Sequence, residues 1–291
     1  MLTSTNLHLR ALAPGELPNS TGRFGHAAFL ALIESVAPEL SQVLHDRNAR
    51  QPFTVSPLRV PSRNPSSPPI RKGSQREVNE CIRVYEGDSC SMRFSVIEGD
   101  DPDGAVLFRS FQTALITTLP AATIRLHNIP FAVEEAHTTP GADGWTGYTT
   151  FAELLECAAT ERTVALHFES PTAMSLGQTD AGKRFELFPV PWNVFDGLAR
   201  KWTEFGGVPL RTADFLEWVQ ECVWVSEHDV QTRILQFGRF SQKGFVGTVV
   251  YEIKRGGSDL ARMLNALADL ALYAGVGYKT TMGMGQARRV K

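Results

Sequence analysis

No apolar run in this sequence approaches the roughly 18 residues that a membrane-spanning helix requires, so a soluble protein with no membrane partner is expected. Cysteine is scarce: Cys81, Cys90, Cys157 and Cys222 lie far apart, with no CxxC and no Cys/His pair at metal-ligand spacing. That argues against a zinc site and for reduced, packed thiols. The opening MLTSTNLHLR has no basic leader followed by an apolar stretch, which points to the cytoplasm. Charge of one sign is lacking too, since the formal net charge is -2. A balanced chain is an unpromising start for a nucleic-acid binder, because phosphate affinity comes from lysine and arginine. Familiar catalytic signatures are missing as well: there is no GxSxG elbow and no HExxH. Glu34, Glu39 and Asp46 read as scattered helix-surface acids, and Asp100, Asp101 and Asp103 as a solvated turn beside Pro102 without an EF-hand pattern. No metal and no cofactor is expected.

What is present fits two domains. The chain has 291 residues, 43% of them apolar and 21% charged, enough to bury two separate cores. Alternation marks a first strand over 4–11. Phe29, Leu30, Ile33 and Val36, then Leu40, Val43 and Leu44 after Pro38, mark a helical hairpin turning at Ala37. A strand at 53–58, an aperiodic Pro/Ser/Arg loop at 61–73, a strand at 89–98, a helix at 103–119 and one strand from Thr123 to about Thr138 complete a β-αα-β-β-α-β order. After a polar loop at 140–147 and a helix at 151–159, the order repeats. It runs through a strand at 163–170, a helix at 194–205, strands at 222–237 and 244–253, a helix at 260–274 and a last strand, QARRVK. The expected fold is α+β: two tandem ferredoxin-like (RRM-like) domains, 1–140 and 160–291, each an antiparallel sheet with helices on one face.

Between that last helix and strand lies GVGYKTTMGMGQARRVK, which runs from Gly275 to Lys291. From Lys279 onward it holds Lys279, Arg288, Arg289 and Lys291 and no acid, so this end is positive although the chain is not. Gly275, Gly277, Gly283 and Gly285 permit close backbone approach and positive φ, and Lys279 and Thr280 add charge and a hydroxyl. A dinucleotide fingerprint or P-loop would run strand, loop, helix; here the helix comes first and no GKS or GKT follows. Two readings stand at about even weight: a loop that grips a phosphate backbone, most naturally RNA, or a helix cap at Gly275 followed by a tight turn.

Of the seven histidines, His26 and His45 stand out. They flank the hairpin turn, and at about 1.5 Å rise per residue they stand within about 4 to 5 Å of the same height. Arg23, Arg47 and Arg50 are near in sequence and could offset charge that builds up on a phosphodiester. One or two imidazoles can move the protons when RNA is cut by its own 2′-OH. His8, His127, His137, His167 and His228, in or near strands, read as structural.

Three stretches then carry a resemblance: HAAFLALIESVAPELSQVLHDRNARQPFTVSPL (26–58); HFESPTAM (167–174) with LFPVPWNVFDGLARKWTEF (187–205); and KGFVGTVVYEI (243–253) running on to GVGYKTTMGMGQ. In this order they resemble the CRISPR-associated endoribonucleases that process repeat RNA, the sixth Cas family of the RAMP superfamily. The resemblance implies two ferredoxin-like domains and recognition of CRISPR repeat RNA (pre-crRNA and crRNA). It implies metal-independent cleavage that leaves a 2′,3′-cyclic phosphate and a 5′-OH. His45 falls at the usual catalytic histidine and His26 at a second one. Where some members carry an assisting tyrosine and lysine, this chain has Leu30 or Phe29 and Gln51, with Arg50 adjacent as a substitute. The RNA contacts so implied are Gly275, Gly277, Lys279, Thr280, Gly283, Gly285, Arg288, Arg289 and Arg23, and the partners to be considered are a CRISPR effector complex and a second copy of the chain. A competing reading is a non-catalytic RAMP subunit that binds crRNA; paired histidines favour the enzyme.

Overall fold

The computed structural model describes residues 1–46, 50–60, 81–99, 102–118, 122–206, 212–238 and 240–290. The loop expected at 61–73, Arg47, Asp100, Asp101 and Lys291 lie outside the described residues, as do the side chains of Asp46 and Asp103.

The first half opens with β1 (Leu2–Ala11) and β2 (Gly15–Pro18), followed by the helical hairpin α1 (Gly22–Glu34) and α2 (Pro38–Asp46) and then β3 (Phe53–Val55). It continues with β4 (Cys81–Val84), β5 (Ser89–Ile97), α3 (Pro102–Thr117), β6 (Thr123–Leu126), β7 (Ile129–His137), β8 (Gly147–Thr149) and α4 (Phe151–Glu156). Its main sheet has the order β3-β5-β1-β7-β6, with β8 also on β1. β1, central and buried on nearly every residue, pairs antiparallel with β5 from Leu2↔Ile97 to Arg10↔Ser89. Taking β1, β3, β5 and β7 as the four strands of the unit, the first and third lie in the middle, as a ferredoxin-like βαββαβ unit requires.

The second half consists of β9 (Thr163–Thr172), the hairpin β10 (Met174–Thr179) and β11 (Gly182–Glu186), α5 (Pro191–Phe205), α6 (Ala213–Cys222), β12 (Val223–Phe237), β13 (Phe240–Ile253), α7 (Ser258–Ala274) and β14 (Ala287–Val290). Its sheet order β12-β13-β9-β14 repeats the arrangement of the first. The two-domain α+β fold expected from the sequence is therefore the observed one, with differences in detail. The single strand expected over 123–138 is two strands, because His127 takes a φ of +56° and turns the chain. The helix α6, the β10–β11 hairpin and the short β2–β4 pair had no periodicity strong enough to show.

Helices cover one face of each sheet because their apolar residues fall at helical spacing. α1 buries Phe29, Leu30, Leu32 and Ile33, and Phe29 stacks on Phe53 at 4.3 Å and meets Phe94 edge-on at 5.2 Å. α5 begins at Pro191, whose missing N–H costs nothing in a first turn, and buries Val194, Phe195, Leu198, Ala199, Trp202 and Phe205. Leu2 and Ile97 of the first half belong to the core of the second.

Polar bonds complete the junction. Arg93, almost fully buried, donates to Ser4 Oγ (3.0 Å), to the Leu272 carbonyl (2.6 Å) and to Gln286 Oε1. Gln286 Nε2 in turn donates to the Val55 carbonyl at 3.1 Å. Burial lowers the Arg93 pKa to about 9, which still leaves a cation at neutral pH. A buried charge of this kind persists only when its donors are satisfied.

Candidate active site

A groove of about 800 Å³ runs between the two halves. On one side are Arg50 and Gln51, which follow α2; on the other are α5 with Trp192, Arg200 and Lys201, and β10. Gly277, Tyr278, Lys279, Thr280 and Thr281 also line it.

The glycine segment is a compact loop. Gly275 takes a φ of +61° and ends α7, its N–H reaching the Ala271 carbonyl, so the capping reading describes this residue correctly. The next turn contains a single 3₁₀ turn at Thr280–Met282, flanked by Lys279 and Gly283 in left-handed conformation. Several amides that might have gripped a phosphate are already engaged: Gly285 N–H donates to the Pro171 carbonyl (3.0 Å) and Tyr278 N–H to that of Ala173 (2.8 Å). Thr280 is buried. Gly283 lies against Gly22 so closely that a Cβ on Gly22 would stand 2.5 Å from the Gly283 nitrogen. Glycine at both positions lets the loop from one end of the chain meet the helix from the other.

That contact sets His26. Its ring stacks on Phe53 at 5.5 Å and 26°, and its Nδ1 lies 3.2 Å from the Thr281 carbonyl. A carbonyl can only accept, so Nδ1 carries the proton and, in the neutral ring, Nε2 keeps its lone pair. Burial holds the His26 pKa below the ordinary imidazole value; the Thr281 bond opposes this, while the charges of His45 and Lys279 lower it further. His26 lies on α1 and His45 on α2, the two helices of the hairpin, while Lys279 comes from the loop at the other end of the chain. His45 itself is exposed in the last turn of α2.

Comparison with known proteins gives the family of the chain. The Cas6 N-terminal domain matches residues 1–156, and the CRISPR-associated endoribonuclease Cas6 model matches residues 166–287. The chain belongs to the Cas6 family. It is similar to a Thermus thermophilus Cas6 solved as a product complex, with 24% identity and a TM-score of 0.78 over all of both chains. A second Cas6 product complex has 27% identity and a TM-score of 0.71, covering 100% of this chain and 99% of that one. A substrate-mimic complex of that second protein has 25% identity and a TM-score of 0.69, with 99% of each chain covered. No curated protein matches this chain.

Within the Cas6 fold the remaining expected residues are dispersed. Arg50 pairs with Glu204 of α5 at 2.6 Å, across the groove mouth. Arg23, in the first turn of α1, lies over the Phe24 ring at 4.5 Å. Arg288 lies on β14, its guanidinium 5.2 Å from the Trp145 ring centre. Arg289, mostly buried, is bound to Glu161, Asp269 (3.4 Å) and Asn265 Oδ1 (2.6 Å). Its charge is already answered inside the protein. Arg289→Ala is thus expected to lower the melting temperature by several degrees, as loss of about 1 to 2 kcal/mol would, and to leave RNA affinity unchanged in a binding titration.

Three contributions escaped the sequence reading. Thr281 acts through its carbonyl, which no side-chain motif reports. Gln286 joins the halves. Lys201, whose pKa burial lowers to about 7, donates to the Ala274 and Gly275 carbonyls and holds the end of α7 where the loop departs. The adjacent cations Arg200 and Lys201 on an otherwise amphipathic helix were the available signal. No helix among the described residues is long and apolar enough to cross a membrane.

Proposed function

We propose that this Cas6-family protein is a metal-independent endoribonuclease that cuts CRISPR repeat RNA within the pre-crRNA. His26 Nε2 takes the proton from the 2′-OH, and the 2′-oxygen attacks the adjacent phosphorus. The bond to the 5′-oxygen breaks, and His45 gives that oxygen a proton. The products are a 2′,3′-cyclic phosphate and a 5′-OH. Lys279 offsets the charge that builds up on the phosphoryl oxygens, while Arg50, which lines the groove, adds positive potential there and Arg23 adds it at the start of α1.

The observation that carries this reading is His26 held by the Thr281 carbonyl in the tautomer a base needs, with Thr281 and Lys279 of the same loop lining the groove and Lys279 lowering the His26 pKa. The solved relatives with product and substrate-mimic complexes support the substrate class. The test is cleavage of repeat RNA in EDTA, beside RNA carrying a 2′-deoxy at the cut. Cutting in EDTA that the 2′-deoxy abolishes is the expected result. Cutting that needs a divalent ion would overturn the mechanism, and binding without cutting would favour a crRNA-binding subunit.

The pH profile gives a finer check. His26 must be neutral to accept a proton, so the acid limb of single-turnover cleavage should lie below the ordinary imidazole value near 6.5. Lys279 is a cation that lowers the His26 pKa. Lys279→Ala removes it, stabilises the imidazolium and moves the acid limb to higher pH. The same variant should reduce the salt dependence of RNA binding by about one unit of slope. An unmoved limb would mean that another group titrates.

A further inference from the structure

The tip of the β12–β13 hairpin bears an aromatic pair, and one ring of it, Phe240, serves neither the core nor the proposed chemistry. Phe237 and Phe240 close the ladder as its last paired residues, and their rings stack at 5.4 Å and 12°. Phe237 is buried on Ala173, Leu235 and Met284 with Met282 alongside, whereas Phe240 is 49% exposed. A lone exposed phenylalanine is ordinary on a protein surface; placement gives this one its meaning.

Lys279 Nζ stands 5.2 Å from the Phe237 ring centre and 5.3 Å from that of Phe240. This is the lysine whose charge reaches His26. The hairpin is also bolted to the start of the catalytic helix. Asn19 Nδ2 donates to the Ile234 carbonyl (3.1 Å), Ser20 Oγ to the Gln236 carbonyl (2.6 Å), and Gln236 N–H to Asn19 Oδ1 (3.1 Å). Asn19 and Ser20 lead into α1, which carries Arg23 and His26. An ideal Cβ on Gly238, at the hairpin turn, would lie 3.4 Å from Arg23 Nη1. The exposed ring is therefore held in a set position next to Lys279, on a hairpin fastened to the residues that lead into α1.

We infer that Phe240 is a stacking platform for one unpaired nucleobase of the RNA, next to the scissile phosphodiester. The inference rests on the proposed ribonuclease function and adds how the cut site is presented. Every base offers a π face, so such a platform is tolerant of sequence. It discriminates by pairing state, because a base inside a duplex already has neighbours on both faces. Phe237 beneath keeps the Phe240 ring in one orientation, and Lys279 meets the phosphate that adjoins the stacked base.

The test is binding of a repeat RNA made uncleavable by a 2′-deoxy at the cut, with abasic residues placed singly at the nucleotides flanking it. Wild-type protein, Phe240→Ala and Phe240→Trp are compared. Phe240→Ala should weaken binding of the intact RNA about tenfold. At one position the abasic residue should weaken wild-type binding by a similar factor and Phe240→Ala no further, while Phe240→Trp restores affinity and the dependence on that base. Losses that multiply at every position, or unaltered affinity of Phe240→Ala, would overturn the stacking role alone. Failure of the wild-type protein to bind the repeat RNA would overturn the ribonuclease reading together with this one.

Discussion

His45→Ala is expected to slow single-turnover cleavage of a repeat RNA by about 10² to 10⁴-fold, the usual worth of a positioned proton donor, with RNA affinity nearly unchanged. His45 is exposed in the last turn of α2, so the variant should remain folded. His26→Ala should lose a comparable factor and some stability as well, since its ring stacks on Phe53 and bonds to Thr281. The two imidazoles serve one transition state, so the double variant should be little slower than the slower single one. Rates measured at saturating RNA in a chelator decide the matter. Retained cleavage by His45→Ala would remove it from the chemistry and leave His26 to act with another donor.

The doubling of the ferredoxin-like unit was legible because its main strands and helices announce themselves locally: alternation in β1, and apolar spacing in α1, α5 and α7. Where local signals were weak, the reading slipped. His127 turns the chain between β6 and β7 with no glycine to mark the place. The site was legible only as two separate ends. Periodicity and composition singled out His26 and His45 at one end and a basic glycine run at the other, but neither can say that residues 22 and 283 touch. Contacts that far apart in sequence leave no trace in any local window. The glycine run looked evenly divided between phosphate loop and helix cap because its chief structural partner, α1, lies at the opposite end of the chain. The same limit explains Arg289: its position in a basic cluster suggested RNA, while Glu161 and Asp269, its actual partners, come from elsewhere.

Gly22→Ala tests whether that long-range contact governs the chemistry. The added methyl would stand 2.5 Å from both the Gly283 nitrogen and the Met282 carbonyl oxygen. These are backbone atoms, so no side chain can swing away; helix or loop must shift. Overpacking of this kind costs about 1 to 3 kcal/mol, read as a lower melting temperature. The larger effect should fall on rate. Moving the loop takes the Thr281 carbonyl off His26 Nδ1, and a misplacement of about 1 Å at a reacting group can cost about 10²-fold. Gly283→Ala should produce the same defect from the far end of the chain, since its methyl would stand 2.8 Å from the Gly22 Cα. Its stability loss should be greater by about 1 kcal/mol, because the φ of +90° there strains any residue with a Cβ. Wild-type rates in both variants, measured well below their melting temperatures, would show that the loop does not set His26. Matching rate losses with unequal stability losses would show that the glycine run acts on cleavage through the helix that carries the histidine.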